Sequence, residues 1–288
     1  MKAAAFSYVK PRSLAETFDL LERHGEGARL LAGGQSLIAA LNMRLDTPRV
    51  LIDLNGLKEL SGIRVDRDSI AIGALTRHRS LELSEDVSQH LPLIHAAMPF
   101  VAHAAIRNRG TFGGSIAFAD PAAELPACCI ALDARFVIRS RAGERRVAAR
   151  EFFKGLYETD LRPGEVLAGG EFARSGVPYR YSFQELARRH GDYAIVGVAA
   201  CARIGAGVLS GVRIAFCGMG PTPMLASAAA AALDGRACSR DVIAHAQASL
   251  AQDLAPFDDL YQTAATRMHL ARVLLGRAIA QLTTDYEY

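Results

Sequence analysis

Leu30-Leu31-Ala32-Gly33-Gly34-Gln35-Ser36-Leu37 carries an apolar run into paired glycines and out into a second apolar stretch that reaches Leu45. The order is strand, glycine turn, helix. Glycine lets the main chain approach a ligand closely, and amides at such a turn offer hydrogen-bond donors to a phosphate. Taken alone, the segment reads equally well as a tight turn. A second glycine-bearing loop, Thr111-Phe112-Gly113-Gly114-Ser115, changes the weighing. A diphosphate has two faces, and two amide-rich loops can clamp it from both. Neither loop is the Gly-x-x-x-x-Gly-Lys-Ser/Thr or the Gly-x-Gly-x-x-Gly turn. Gly205-x-Gly207 lacks the third glycine and falls in an expected hairpin. A P-loop ATPase and an ordinary NAD-dependent dehydrogenase are set aside.

Outward from these loops, Ser13-Leu14-Ala15-Glu16 has capping-box spacing, and a helix is expected from about Ser13 to His24, ended by Gly25. Val50 to Leu54 reads as a strand, and Ile63 to Gly73 as a hairpin turning at Asp66-Arg67-Asp68-Ser69. Helical patterns cover Ser80 to His90, Leu91 to Ala105 and Ala122 to Leu132. Arg135 to Arg139 and Glu144 to Ala148 are strands around Ala142-Gly143. Past Gly176, Tyr181 to Ala187, Ile195 to Ile204 and Val208 to Phe216 read as consecutive strands. Two helices follow, one opened by Ser239-x-Asp241, the other marked by Ala264, Met268, Ala271, Leu275, Ile279 and Leu282 at helical spacing. A domain boundary is expected near Gly176.

The chain has 288 residues, half of them apolar, with 33 basic against 30 acidic side chains. That net charge of +3 is too small and dispersed for nucleic-acid binding. The charge-free stretch Leu91 to Ile106 holds two prolines and two histidines and is too short to cross a bilayer. No secretion signal opens the chain, so a cytoplasmic protein is expected. Five cysteines, at 128, 129, 201, 217 and 238, have neither metal-ligand spacing nor an even count for a disulfide framework, and read as small buried thiols. The scattered histidines, His78 and His190 included, read as surface or satisfied core residues. The basic stretch Arg135, Arg139, Arg141, Arg145, Arg146, Arg150 reads as a solvated face, with docking of an acidic partner as the alternative.

Leu31 to Leu37, then Arg107-Asn108-Arg109-Gly110-Thr111-Phe112-Gly113-Gly114-Ser115-Ile116-Ala117, Asp120-Pro121-Ala122-Ala123-Glu124-Leu125-Pro126-Ala127 and Gly191-Asp192-Tyr193-Ala194-Ile195-Val196 occur in that order. Together they resemble the FAD-binding medium subunit of molybdenum hydroxylases, the family of aerobic carbon monoxide dehydrogenase, quinoline oxidoreductase and xanthine dehydrogenase. The resemblance spans essentially the whole chain. It implies an α+β fold: a two-lobed FAD-binding domain of the vanillyl-alcohol-oxidase (PCMH) type over residues 1–176, with lobes of about 1–56 and 57–176. A small domain of a three-stranded antiparallel sheet and a helical bundle would then occupy 177–288.

FAD would lie between the lobes. Leu30, Leu31, Ala32, Gly33, Gly34, Gln35, Ser36 and Leu37, with Thr111, Phe112, Gly113, Gly114 and Ser115, would hold its diphosphate and adjacent flavin, chiefly through backbone amides. Val101, Glu124 and Leu167 match contact positions around the nucleotide end, and Tyr193 a tyrosine at the flavin ring. Some positions depart from the family pattern: Phe112 replaces Ile or Leu, Phe118 a common His, Glu124 the commoner Asp, and Gln184 a lysine of xanthine dehydrogenases. No catalytic side chain and no metal are expected in this chain.

The resemblance further implies an electron-transfer subunit, whose partners are a molybdopterin-binding large subunit and a small subunit with two iron–sulfur clusters, as a dimer of heterotrimers. Two other readings stay open. A self-sufficient FAD oxidoreductase would bleach its flavin with substrate on its own, and a non-catalytic nucleotide-binding scaffold would purify colourless. On the family reading a different chain would recognise the oxidised substrate, and oxygen, a quinone, a cytochrome and NAD are all compatible as final acceptors.

Overall fold

Ser13 caps the helix Leu14–His24 by accepting from the Glu16 amide, while the Glu16 carboxylate reaches back to the Arg12 amide rather than to Ser13 itself. The computed structural model that contains this helix describes residues 2–174 and 176–284. The helix packs on a three-stranded parallel sheet in the order Ser7–Val9, Val50–Asp53, Ala28–Leu31. Val50–Asp53, the central strand, is buried along its whole length. Its carboxyl end and that of Ala28–Leu31 feed the loops of the site, and the first glycine turn leads into the helix Leu37–Asn42.

A second sheet has five antiparallel strands in the order Ile63–Val65, Ser69–Gly73, Val166–Ala173, Arg135–Ser140, Gly143–Ala148. Leu167 to Gly170 lies in the central strand of this sheet. Added Cβ atoms show why it carries paired glycines: at Gly169 one would lie 2.5 Å from the Ile72 carbonyl, and at Gly170 2.9 Å from the Phe112 ring. The expected helical stretches from Ser80 to Ala105 resolve into four short helices, His78–Leu83, Glu85–His90, Pro92–Ala97 and Ala104–Arg107. Ser84 ends the first and caps the second, and Pro92 starts the third.

The strands Arg180–Ala187, Ala194–Gly205 and Val208–Cys217 form the expected antiparallel meander. A short fourth strand, Met224–Leu225, pairs with the last of them, so this sheet is four-stranded rather than three-stranded. Strand periodicity divides Ala194–Gly205 between two cores. Val196, Val198, Ala200 and Ala202 face the helices Ser227–Leu233, Arg240–Asp253 and Ala264–Thr283. Ala199 and its cross-strand neighbours Phe183 and Ala215 join the core around the five-stranded sheet. Between the two sheets runs Glu124–Ala131, a helix buried at all eight positions. A third core joins the parallel sheet to one edge of the second sheet, with Phe18, Val50 and Ile52 packed among Leu57, Leu60, Val137 and Val166.

Among the described residues, five of the six arginines of the basic hairpin, all but Arg135, are paired within the chain. Arg139 pairs with Glu144, Arg141 with Asp19 and Glu22, Arg145 with Asp160 and Glu165, Arg146 with Glu144 and Glu171, and Arg150 with Asp133. A solvated, internally compensated face accounts for it, and these pairs speak against an acidic docking partner. Cys128, Cys129, Cys201 and Cys217 are buried, and Cys238 is partly so. Among the described residues no helix is long and apolar enough to cross a membrane.

Candidate functional site

The two glycine segments meet main chain to main chain at Gly33 and Arg109-Gly110. A Cβ on Gly33 would overlap the Arg109 carbonyl oxygen and stand 2.9 Å from Gly110 Cα, so this glycine is what permits the approach. Gly34 takes φ +73°, a left-handed conformation that suits glycine. Among the described residues the amides of Gly33, Gly34, Gln35 and Ser36 donate no hydrogen bond within the protein. Four successive donors without acceptors line a cavity of about 630 Å³. Successive amides of this kind form an anion-binding nest.

The second segment is built differently from expectation. Thr111 is the N-cap of a helix, Phe112–Phe118, so Gly113 and Gly114 lie in a first helical turn and not in a loop. Phe112 donates to Thr76 O at 2.9 Å, Gly113 to Ala74 O at 2.7 Å, Gly114 to Thr111 Oγ1 at 3.1 Å and Ser115 to Thr111 O at 3.1 Å. Those four amides are spent internally. What the segment contributes is a smooth wall, since Gly113 packs with its Cα against Ala74 and Gly114 opens onto the cavity.

Fifteen of the seventeen expected contact residues line the cavity, and Leu31 and Phe112 do not. Leu31 turns its side chain under Gly34. Phe112 is fully buried behind the site, its ring seated over Gly170 and edge-on to Phe172 at 6.2 Å. Strand glycine 170 thus makes room for the large residue. Phe118 does line the cavity and meets Tyr157 in a tilted ring pair at 5.0 Å. Gln184 lies elsewhere, bonded at 2.7 Å to Gln281 of the last helix. Tyr193 comes to the rim from the C-terminal sheet because Gly191, at φ +78°, seats its turn on Ala102 and His103.

Two models of domain families match the chain: the FAD binding domain in molybdopterin dehydrogenase over residues 4–169, and the CO dehydrogenase flavoprotein C-terminal domain over 181–282. The chain belongs to this family of FAD-binding subunits. The 6-hydroxypseudooxynicotine dehydrogenase complex subunit alpha of Paenarthrobacter nicotinovorans is 38% identical, covering 98% of this chain and 95% of the relative. Caffeine dehydrogenase subunit beta of a Pseudomonas strain is 37% identical over 98% and 96%. Carbon monoxide dehydrogenase from Hydrogenophaga pseudoflava superposes with a TM-score of 0.95 at 36% identity, covering 98% of both chains.

In this family member the cavity is electrostatically uneven. Burial, with Asp120 adding to it, pushes the Glu124 carboxyl up to about 7. Glu185, behind it on the sheet, is pushed up to about 9 by burial and then by Glu124. Partial burial, then Asp120 and Glu124, also raises the Tyr193 phenol, although that side chain is 65% exposed. Glu124 and Tyr193, assigned separately to the nucleotide and the flavin ring, therefore feel each other at one end of the cavity. His78 is held down to about 4 by burial, its Nε2 donating to Thr111 O at 2.9 Å and its Nδ1 buried without a partner among the described residues. Behind the wall, Arg107 grips Glu82 and donates to the carbonyls of Val101 and Ala102.

Sequence reasoning missed Asn55 and Arg77, which tie the two glycine segments together from outside the cavity. Asp53-x-Asn55 after a strand is an Asx-turn pattern that gives a local hint for one of them. No local pattern marks Arg77.

Proposed function

We propose that this chain is the FAD-carrying electron-transfer subunit of a molybdenum-containing hydroxylase or dehydrogenase, taking electrons from an iron–sulfur partner subunit and passing them to an external acceptor. The observation that carries the reading is the run of acceptor-free amides at Gly33 to Ser36, which line the same cavity as Gly113 and Gly114 of the helix Phe112–Phe118. A volume of about 630 Å³ lies in the range of ligand and cofactor sites. When bound, FAD supplies a redox centre able to accept electrons singly and hold two.

The chain's own residues bind and orient. Amides of the first segment take diphosphate oxygens, and the second segment closes the other side by shape. At the end of the cavity that Glu124 and Tyr193 share, Glu124 accepts from a hydroxyl group of the bound FAD and Tyr193 shields the exposed side of the ring system, limiting access to it. Residues 1–176 serve as a flavin domain of the vanillyl-alcohol-oxidase type, with lobes of about 1–56 and 57–176. Residues 177–288 serve as the C-terminal domain. A molybdopterin-binding large subunit and a small subunit with two iron–sulfur clusters complete a cytoplasmic dimer of heterotrimers. Relatives whose names describe them as subunits of dehydrogenase complexes support this division of labour.

Purification of the full chain tests the reading. It is expected to carry one FAD, to be reduced by dithionite, and to leave N-heteroaromatic and aldehyde substrates untouched. In the native complex molybdenum and iron should reside on other chains. A colourless protein that takes up no FAD refutes the reading, and flavin bleaching by an organic substrate on the isolated chain replaces it with a self-sufficient oxidoreductase.

A further inference from the structure

Asn55 and Arg77 form a relay between the two glycine segments. Asn55 lies in the 3-10 turn Leu54–Gly56, just beyond the central strand of the first lobe, and its Nδ2 donates to Ala32 O at 2.7 Å. Its Oδ1 accepts from Arg77 Nη2 at 2.6 Å, and Arg77 Nη1 donates to Arg109 O. The relay starts on the first segment and ends on the carbonyl that Gly33 abuts in the second. Its root is fixed as well: Asp53 accepts from the Asn55 amide at 2.9 Å, and its other oxygen accepts from Tyr8. Around Arg77 the main chain is paired to the second segment, with His78 N bonded to Gly110 O and Thr76 O accepting from Phe112 N. Neither Asn55 nor Arg77 lines the cavity.

The peptide linking Ala32 to Gly33 gives the relay its consequence. A trans peptide is planar, with C=O and N–H pointing in opposite directions, and the described residues contain no cis bond. Holding the Ala32 carbonyl with Asn55 therefore aims the Gly33 N–H, first donor of the nest, away from Asn55. Holding Arg109 O with Arg77 fixes how near the second segment comes. We infer that Asn55 and Arg77 are positioning residues, which set the aim and spacing of the two segments for a diphosphate without touching it. This rests on the reading of the cavity as the FAD site.

The test uses the full chain stripped of flavin, with Asn55→Ala, Arg77→Met, the double variant and Arg77→Lys. Binding of FAD, ADP and riboflavin is titrated, and apo-protein melting is followed alongside. Loss of one relay bond should weaken FAD and ADP together by about ten-fold, the worth of one well-made hydrogen bond, with riboflavin affinity unchanged. The double variant should be no weaker than the worse single one, as expected of residues acting in series. Arg77→Lys, with its point charge, should restore part of the loss. Unchanged FAD affinity in the variants, equal weakening of riboflavin, or strictly additive losses overturn the relay alone. A wild-type chain that binds no FAD overturns the site reading and the relay together.

Discussion

Replacing Gly33 by alanine probes how closely the two segments must meet. The added Cβ would overlap the Arg109 carbonyl oxygen and lie 2.9 Å from Gly110 Cα and 3.0 Å from the Arg109 carbonyl carbon. All three atoms are main chain, so no side chain can swing away. Carbon atoms in contact sit about 3.5–4.0 Å apart, so the segments must part by roughly half an ångström or more. Forced overpacking of this kind costs about 1–3 kcal/mol. Apo-protein relieves the strain by letting the segments separate, but a ligand that needs both pulls them back, and the cost falls on binding. FAD affinity should drop by about 5- to 150-fold, while apo-protein melting changes little. Gly114→Ala serves as the comparison: its Cβ meets only Thr111 Oγ1 closely, at 2.7 Å, and the next atoms stand at 4.0 Å. Turning that hydroxyl away costs one helix cap, about 1 kcal/mol. Titration of FAD into the apo chain, read by flavin fluorescence, separates the two. Wild-type affinity in Gly33→Ala would refute the reasoning.

Other outcomes follow from the same geometry. Unfolded, Glu124 ionises near 4.5, but folded it stays protonated to about 7, so its burial costs stability as pH rises through that window, by about 3 kcal/mol above pH 7. His78 runs the other way: unfolded it protonates near 6.5 but folded only near 4, so stability is lost as pH falls between those values, again by about 3 kcal/mol. Urea titrations of the apo-protein should therefore show Glu124→Gln gaining on wild type with rising pH and His78→Gln gaining with falling pH. Two variants that track wild type at every pH would contradict the assignments. Arg107→Met leaves Glu82 with Arg79 as its cation and strands the carbonyls of Val101 and Ala102. It should cost about 3 kcal/mol and lower Tm by roughly five degrees, whereas a shift under two degrees would count against a structural pin there. Tyr193→Ala removes a largely exposed side chain, so melting should stay within about 0.5 kcal/mol of wild type. Stopped-flow reoxidation of the reduced flavin by dioxygen should quicken, and an unaltered rate would remove Tyr193 from the shielding role.

What the sequence makes legible here is what depends on neighbours along the chain. The helix Leu14–His24 follows from Ser13 and Glu16, and the meander after Gly176 from alternating apolar runs, because caps and strand periodicity are local. Gly113 and Gly114 mislead for the opposite reason. Their propensity argues for a loop, yet Thr111 caps a helix over them and Ala74, far off in sequence, leaves room only for glycine. Val166–Ala173 escapes notice as a central strand because its glycines answer to Ile72 on the next strand and to the Phe112 ring of the helix packed on it. The helix Ser227–Leu233 hides in a run of alanines that reads as compositional bias. At the site, the glycine motifs mark residues that line the cavity, but which amides stay free is decided by Thr76 and Ala74 as acceptors. Asn55 and Arg77 are 22 residues apart, and only the folded chain joins them.

The helix Glu124–Ala131 is a keystone shared by two tenants. Its first residue borders the cavity, and its remaining length fills the space between the five-stranded sheet and the C-terminal meander. A polypeptide severed after Gly176 would leave Leu125, Cys128 and their neighbours facing water along one flank. Such a fragment should aggregate, and the amino-terminal portion should have to be co-produced with the carboxy-terminal one to stay in solution. Occupancy of the cavity should in turn be felt in how firmly the meander is held, so that protease sensitivity beyond residue 180 becomes a remote report of whether the nest is filled.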